Sequence, residues 1–226
     1  MKTLPLFFSV ISILMPVITQ KTGLSKKYGF QMKMLCAFLY IITGIIAAVS
    51  FNIVTTYSLM ILGALALGVL GDFFLSYKQD KNFPLGVVFF ALGHIVYSFT
   101  FLCIGEIRVM DYIAPVLIVT VLMFIPIVCV IKLKLSLGKL KMPVLIYSVF
   151  LLFSFACGFA KGLLAFKSGN LCFALCMISG SLLFVTSDIL LGLKTGGIKM
   201  PKILTHTVSY TYFPAQTLFA LSIFFQ

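Results

Sequence analysis

The sequence predicts an all-α fold: a polytopic transmembrane bundle of about eight helices, one transmembrane domain over residues 1–226, with both termini non-cytoplasmic. Three observations lead there. Of the 226 residues, 62% are hydrophobic and 10% charged, with a mean hydropathy of +1.18. Soluble domains carry roughly 45–50% apolar and about 25% charged residues. Apolar runs near the length needed to cross hydrocarbon, about 20 residues, follow one another with short polar breaks. The basic residues in those breaks are strongly biased to alternate breaks, as the positive-inside rule requires.

The runs fall at 4–20, 34–50, 57–76, 84–104, 112–131, 142–160, 170–192 and 203–225. The first follows Lys2, contains Pro16 and lacks a small-x-small cleavage pattern, so it reads as a retained span rather than a signal peptide. The second is uniformly apolar. The third ends on Gly71-Asp72, the fourth carries His94 and Tyr97, and the fifth is featureless. The sixth has Tyr147 near its start, the seventh holds Ser181 and Asp188, and the eighth opens on the polar stretch containing His206 and Tyr210 before reaching Gln216. Helices rather than barrel strands are expected, because the runs are long and few alternate in hydrophobicity. With eight spans, one side receives Lys2, Arg108, Lys161 and Lys167, and the other receives the remaining thirteen lysines. That side is expected to be cytoplasmic. Eight spans use about 160 residues and leave no room for a soluble domain.

The net charge of +12 does not indicate a nucleic-acid partner, because the lysines are distributed between apolar runs rather than gathered on one folded, water-exposed face. The six cysteines form no CxxC pair and lie in or beside apolar runs, where free Cys behaves as a small hydrophobe. No GxSxG, P-loop or GxGxxG pattern is present, so serine-hydrolase and nucleotide chemistry have no support.

The informative residues are acids within apolar runs. Of five acidic residues, Asp80, Glu106 and Asp111 fall in loops, while Asp72 and Asp188 lie inside spans, in the last turns on the lysine-rich side. An intramembrane charge is costly, about 2.5–3.5 kcal/mol at mid-helix, and marks a functional site by default. Two in matching positions strengthen the case. Ala64, Gly68 and Asp72 are spaced i, i+4, i+8 and share a helix face, where small residues admit a close neighbour. Leu65, Ala66 and Leu67 offer Asp72 no hydroxyl from its own helix. Ser181 and Asp188, seven apart, also share a face. Each Asp is followed by three apolar residues and, six positions on, by a lysine (Lys78, Lys194), a faint internal repeat between spans running in the same direction. Two carboxyls meeting in a poorly hydrated hollow are expected to share a proton, supplying a general acid and an anion together. His94, Tyr97, Tyr147, His206, Tyr210 and Gln216 are the candidate lining residues. No HExxH or similar metal-binding spacing occurs, and neither a metal nor any other cofactor is expected.

Taken together, Gly71-Asp72-Phe73-Phe74-Leu75, then Gly86, Phe90 and Gly93-His94-Ile95-Val96-Tyr97, then Gly180-Ser181 through Ser187-Asp188, then Tyr210 and Ala215-Gln216 resemble the lysoplasmalogenase (YhhN-like) family of integral membrane proteins. The resemblance implies an eight-helix membrane enzyme. Its expected partners are membrane lipid and a lysophospholipid substrate, whose vinyl ether it hydrolyses to a fatty aldehyde and a glycerophospho-base. It implies Asp72 and Asp188 as the catalytic pair, with His94, Tyr97, Tyr147, Tyr210 and Gln216 lining the site. The chemistry fits the residues independently, since two carboxyls serve a related oxocarbenium-like transition state in glycosidases. Three rivals remain: a proton-coupled transporter or flippase using the same acids as a relay, an intramembrane aspartyl protease, and a purely structural membrane protein. Protease carboxylates come from consecutive helices, whereas these are four spans apart.

Overall fold

The computed structural model describes residues 3–50, 54–77, 79–103 and 137–226, with single positions 113, 117, 121 and 128 between them. Apart from those four positions, the expected fifth span at 112–131 lies outside the described residues. Among the described residues there are eight α-helices, one 3-10 turn and no strand. The helices are α1 (Leu4–Lys21), the short α2 (Leu24–Lys27), α3 (Gly29–Val49), α4 (Thr56–Ser76), α5 (Gln79–Cys103), α6 (Lys141–Lys167), α7 (Leu171–Thr195) and α8 (Lys202–Phe225). Six of these, α1 and α3 to α7, contain stretches long and apolar enough to cross a membrane.

Local sequence sets the helix ends. Thr55 and Ser58 form a reciprocal capping box at the start of α4, and the Asn170 side chain accepts from the Phe173 N–H at the start of α7. Gly23 and Gly169 take left-handed φ values of 75° and 85° between helices, where a side chain would be strained. Three helices run five or more residues further than their apolar runs predict. α3 begins at Gly29, which brings Lys33 into its second turn, α5 begins at Gln79, and α6 continues to Lys167, which puts Lys161 inside a helix rather than in a loop. Backbone hydrogen bonds continue past the first polar residue because a lysine stem packs along apolar surface. Lys161 does so with its ammonium 5.9 Å from the Tyr57 ring centre.

The bundle is apolar outside and partly polar inside. On α5, Leu85, Val88, Leu92, Ile95 and Phe99 are exposed at alternating spacings of three and four, a stripe suited to lipid. On α1, Phe7, Val10, Leu14 and Ile18 form a similar exposed stripe at spacings of three, four and four. Their inward faces carry Ser9, Ser12, His94, Ser98 and Thr100, all buried.

α8 is the central helix. It packs against α1, α3, α4 and α7, and its residues from Thr211 to Thr217 are all buried. Thr217 meets Ser12 of α1 at 2.7 Å, and Ser222 meets Tyr57 of α4 at 2.7 Å. A helix surrounded by protein can satisfy polar side chains that lipid could not. This accounts for a helix so polar at the core of an otherwise apolar bundle.

The two carboxylate-bearing helices, α4 and α7, end on one side of the bundle, where α3, α5, α6 and α8 begin. A single cavity collects residues from all six of these ends. The opposite side is tied by Thr55 Oγ1 to Gln226 at 2.9 Å and by Asn170 Nδ2 to the Phe225 carbonyl at 2.8 Å. Lys21, Lys26, Lys27, Lys33, Lys141, Lys194, Lys199 and Lys202 all belong to the cavity side, and Lys161 and Lys167 to the other. Thus the described lysines sort between the two ends as the apolar runs predict.

Candidate functional site

The cavity has a volume of about 360 Å³. Its apolar walls include Phe30, Leu75, Phe83, Val87, Phe90, Leu191 and Val208, and its charged lining residues are Lys33, Asp72, Asp188 and Lys194. Asp72 and Asp188, from helices separated widely in sequence, therefore face one hollow.

Asp72 sits one turn before the end of α4 and is 1% exposed. Its hydrogen-bond and ion-pair partners come from other helices. Tyr212 Oη on α8 donates to Oδ2 at 2.8 Å, Tyr40 Oη on α3 donates to the same oxygen at 3.3 Å, and Lys33 Nζ lies 3.2 Å from Oδ1. The geometry needs Gly68. A Cβ there would come within 2.7 Å of Gln216 Nε2 and 3.2 Å of Tyr40 Oη, so the helix face made of Ala64, Gly68 and Asp72 is the surface on which this network rests. Close approach of α5 has a similar origin, because a Cβ on Gly86 would lie 3.0 Å from the Leu75 backbone nitrogen.

A second layer orients the first. Tyr97 Oη on α5 donates to Gln216 Oε1 at 2.7 Å, and Gln216 Nε2 donates to Tyr212 Oη at 3.2 Å. An amide nitrogen can only donate. Tyr212 Oη therefore accepts a hydrogen bond from Gln216 and donates one to Asp72.

Asp188 has a leaner setting. Its side chain is 7% exposed, Tyr147 Oη on α6 donates to Oδ2 in a short contact, and His94 Nε2 on α5 lies 3.8 Å from the same oxygen. His94 Nε2 is also 3.0 Å from Tyr147 Oη. Since the Tyr147 proton is directed at Asp188, His94 donates from Nε2, and its Nδ1 has no hydrogen-bond partner among the described residues. Next to Asp188, Ser187 Oγ donates to the Val208 carbonyl at 3.2 Å and fastens α7 to α8. Ser181, on the same face of α7, packs against α6, where a Cβ on Gly158 would approach its Oγ to 2.5 Å. Phe184 joins the two halves, its ring edge-on to His94 at 4.8 Å and to Tyr212 at 5.5 Å.

Asp72, Asp188 and Tyr147 line the cavity directly. His94 stands one hydrogen bond behind Tyr147, Gln216 one behind Tyr212, and Tyr97 one behind Gln216. His206 and Tyr210 are placed elsewhere. Thr205, Val208, Ser209 and Tyr212 form the lining face of α8, and at roughly 100° per residue positions 206 and 210 are turned from its centre by about 110° and about 150°. Their rings pack together at 6.4 Å, and His206 is exposed. Three residues that sequence reasoning missed complete the Asp72 environment: Lys33, Tyr40 and Tyr212. Lys33 and Tyr40 are seven apart, and Tyr212 and Gln216 four apart, so each pair shares a helix face. Among the described residues no third His, Cys, Asp or Glu joins Asp188 and His94 in a metal-holding group.

Such a bundle, with apolar stripes outside and two acids facing an internal cavity at one end, defines an integral, multi-pass helical membrane protein with a polar site inside the bundle. The sequence pattern of the YhhN family matches residues 27–223, and the chain belongs to that family. Comparison with curated proteins and with solved structures found no match.

Proposed function

We propose that the protein hydrolyses the vinyl ether of a lysoplasmalogen-type lysophospholipid within the inner leaflet, using Asp188 as general acid and base and Asp72 as the stabilising anion. The observation that carries this reading is their shared cavity, with apolar walls for a chain and each carboxylate held by a tyrosine from a neighbouring helix. The two settings suit different roles. Three donors, one of them a cation, converge on Asp72, an arrangement that favours a carboxylate anion. Asp188 accepts from one tyrosine, and its Oδ1 makes no hydrogen bond to a described residue. That oxygen is the position for a proton that leaves.

In the proposed reaction the Asp188 proton moves to the outer carbon of the C=C bond, whose electrons form the new C–H bond. The carbon attached to oxygen becomes an oxocarbenium ion, and the Asp72 anion stabilises it across the cavity. Water adds to that carbon and gives a proton to the Asp188 carboxylate, restoring it. Asp188 then protonates the glycerol oxygen as its bond to the hemiacetal carbon breaks and takes back the hemiacetal hydroxyl proton, releasing the aldehyde and a glycerol hydroxyl. Tyr147 and His94 hold Asp188 in position, and Tyr212 and Gln216 do the same for Asp72.

The transporter reading calls for helices broken near the membrane midplane, whereas α4 and α7 run unbroken through their carboxylates. Aldehyde release from a vinyl-ether lysolipid by purified protein in detergent tests the proposal, because transport needs a sealed membrane. Stoichiometric aldehyde is the expected result. Substrate movement across vesicles without aldehyde would favour the transporter.

A further inference from the structure

We propose that the rim of the cavity binds the phosphodiester of a lysophospholipid headgroup, with the Lys194 ammonium as its counter-ion. This deepens the lysolipid reading of the cavity and rests on it. The charged groups of the cavity are layered by depth. Asp72 is 1% exposed and the Asp188 side chain 7%, while the Lys33 side chain is 28% exposed and Lys194 lies in the exposed class. Three of the four are already engaged: Lys33 is 3.2 Å from Asp72, and Asp188 is held by Tyr147 with His94 beside it. Lys194 lines the cavity and makes no ion pair with a described residue. The Ser76 and Ser209 hydroxyls, also in the lining, make no hydrogen bond to a described residue and can donate to the same anion.

Orientation in the membrane alone does not account for Lys194, because the neighbouring Lys199 and Lys202 serve that purpose without lining the cavity. The apolar walls favour an amphiphile over a free anion. In a glycerolipid the phosphate and the chain-bearing ether occupy opposite ends of the glycerol. An ether at the buried acids therefore brings the phosphate toward the exposed lysine.

Binding is read separately from turnover, with full-length protein in detergent and an alkyl-ether lysophosphatidylethanolamine, which lacks the vinyl double bond. The matching alkyl glycerol, without phosphate, is the control, and inorganic phosphate is the third arm. Lys194→Ala should weaken the lysophospholipid about tenfold, as expected for loss of one charge-assisted contact. Lys194→Arg should retain the affinity, and the alkyl glycerol should bind both variants as it binds the wild type. Equal weakening of both lipids, no weakening of either, absence of lysophospholipid binding, or inorganic phosphate binding as tightly as the lysophospholipid each overturns the subsite. Phosphate-selective binding without aldehyde release from a vinyl-ether substrate supports the subsite and counts against the hydrolase alone.

Discussion

The two carboxylates differ in how they are supported. Asp72 is clamped by Lys33, Tyr40 and Tyr212, with Gln216 and Tyr97 fixing Tyr212 in turn. Asp188 depends on Tyr147, which is itself held by His94. One half of the site is redundant and rigid, while the other hangs on a single hydroxyl. The contrast teaches that two acids in equivalent places on parallel helices need not be equivalent chemically. In the proposed reaction their neighbours on α3, α5, α6 and α8 divide the roles.

This asymmetry sets an order of effects. Tyr147→Phe removes the donor to Asp188 and the acceptor of His94 together, and should lower kcat about a hundredfold, within the range for disabling a general acid. Steady-state aldehyde release measures it. Gln216→Leu strands the Tyr97 hydroxyl and frees Tyr212 to turn from Asp72. It should cost about 1–3 kcal/mol of stability with at most a few-fold loss of kcat, read by thermal unfolding and turnover on the same preparation. Tyr212→Phe takes one of three donors from Asp72 and should cost only a few-fold, because a hydrogen bond contributes about 1 kcal/mol net and Lys33 and Tyr40 remain. If Tyr212→Phe proved more damaging than Tyr147→Phe, the assignment of the redundant half would be reversed. His206→Ala, off the lining face of α8, should leave turnover within about twofold, as for a surface substitution. A large loss there would give the His206–Tyr210 pair a role that the cavity geometry does not assign to it.

Much of the frame was legible in the sequence because lipid imposes a strong rule. Apolar runs gave the described long helices to within a few residues at most ends, and the lysines sorted them by side. Asp72 and Asp188 stood out because acids in such runs are costly. The partners of Asp72 were harder to see. Lys33 resembled one more orienting lysine until α3 extended back to Gly29 and turned it inward. Tyr40 sits in an apolar run where an aromatic residue draws no notice. Tyr212 was hidden by Tyr210, two residues earlier, and only the i, i+4 relation to Gln216 distinguishes them. Side-chain contacts between α3, α4 and α8 depend on Gly68 allowing close approach, and nothing local to any one helix specifies that meeting.

The central claim is that the two acids act as one catalytic unit on a vinyl ether. Its most direct test is aldehyde release by purified, membrane-inserted Asp72→Asn and Asp188→Asn proteins, each compared with wild type on the same lysoplasmalogen. The account predicts aldehyde from the wild type and none above background from either variant, with both variants inserting at wild-type yield. Near-normal turnover by either one would contradict it.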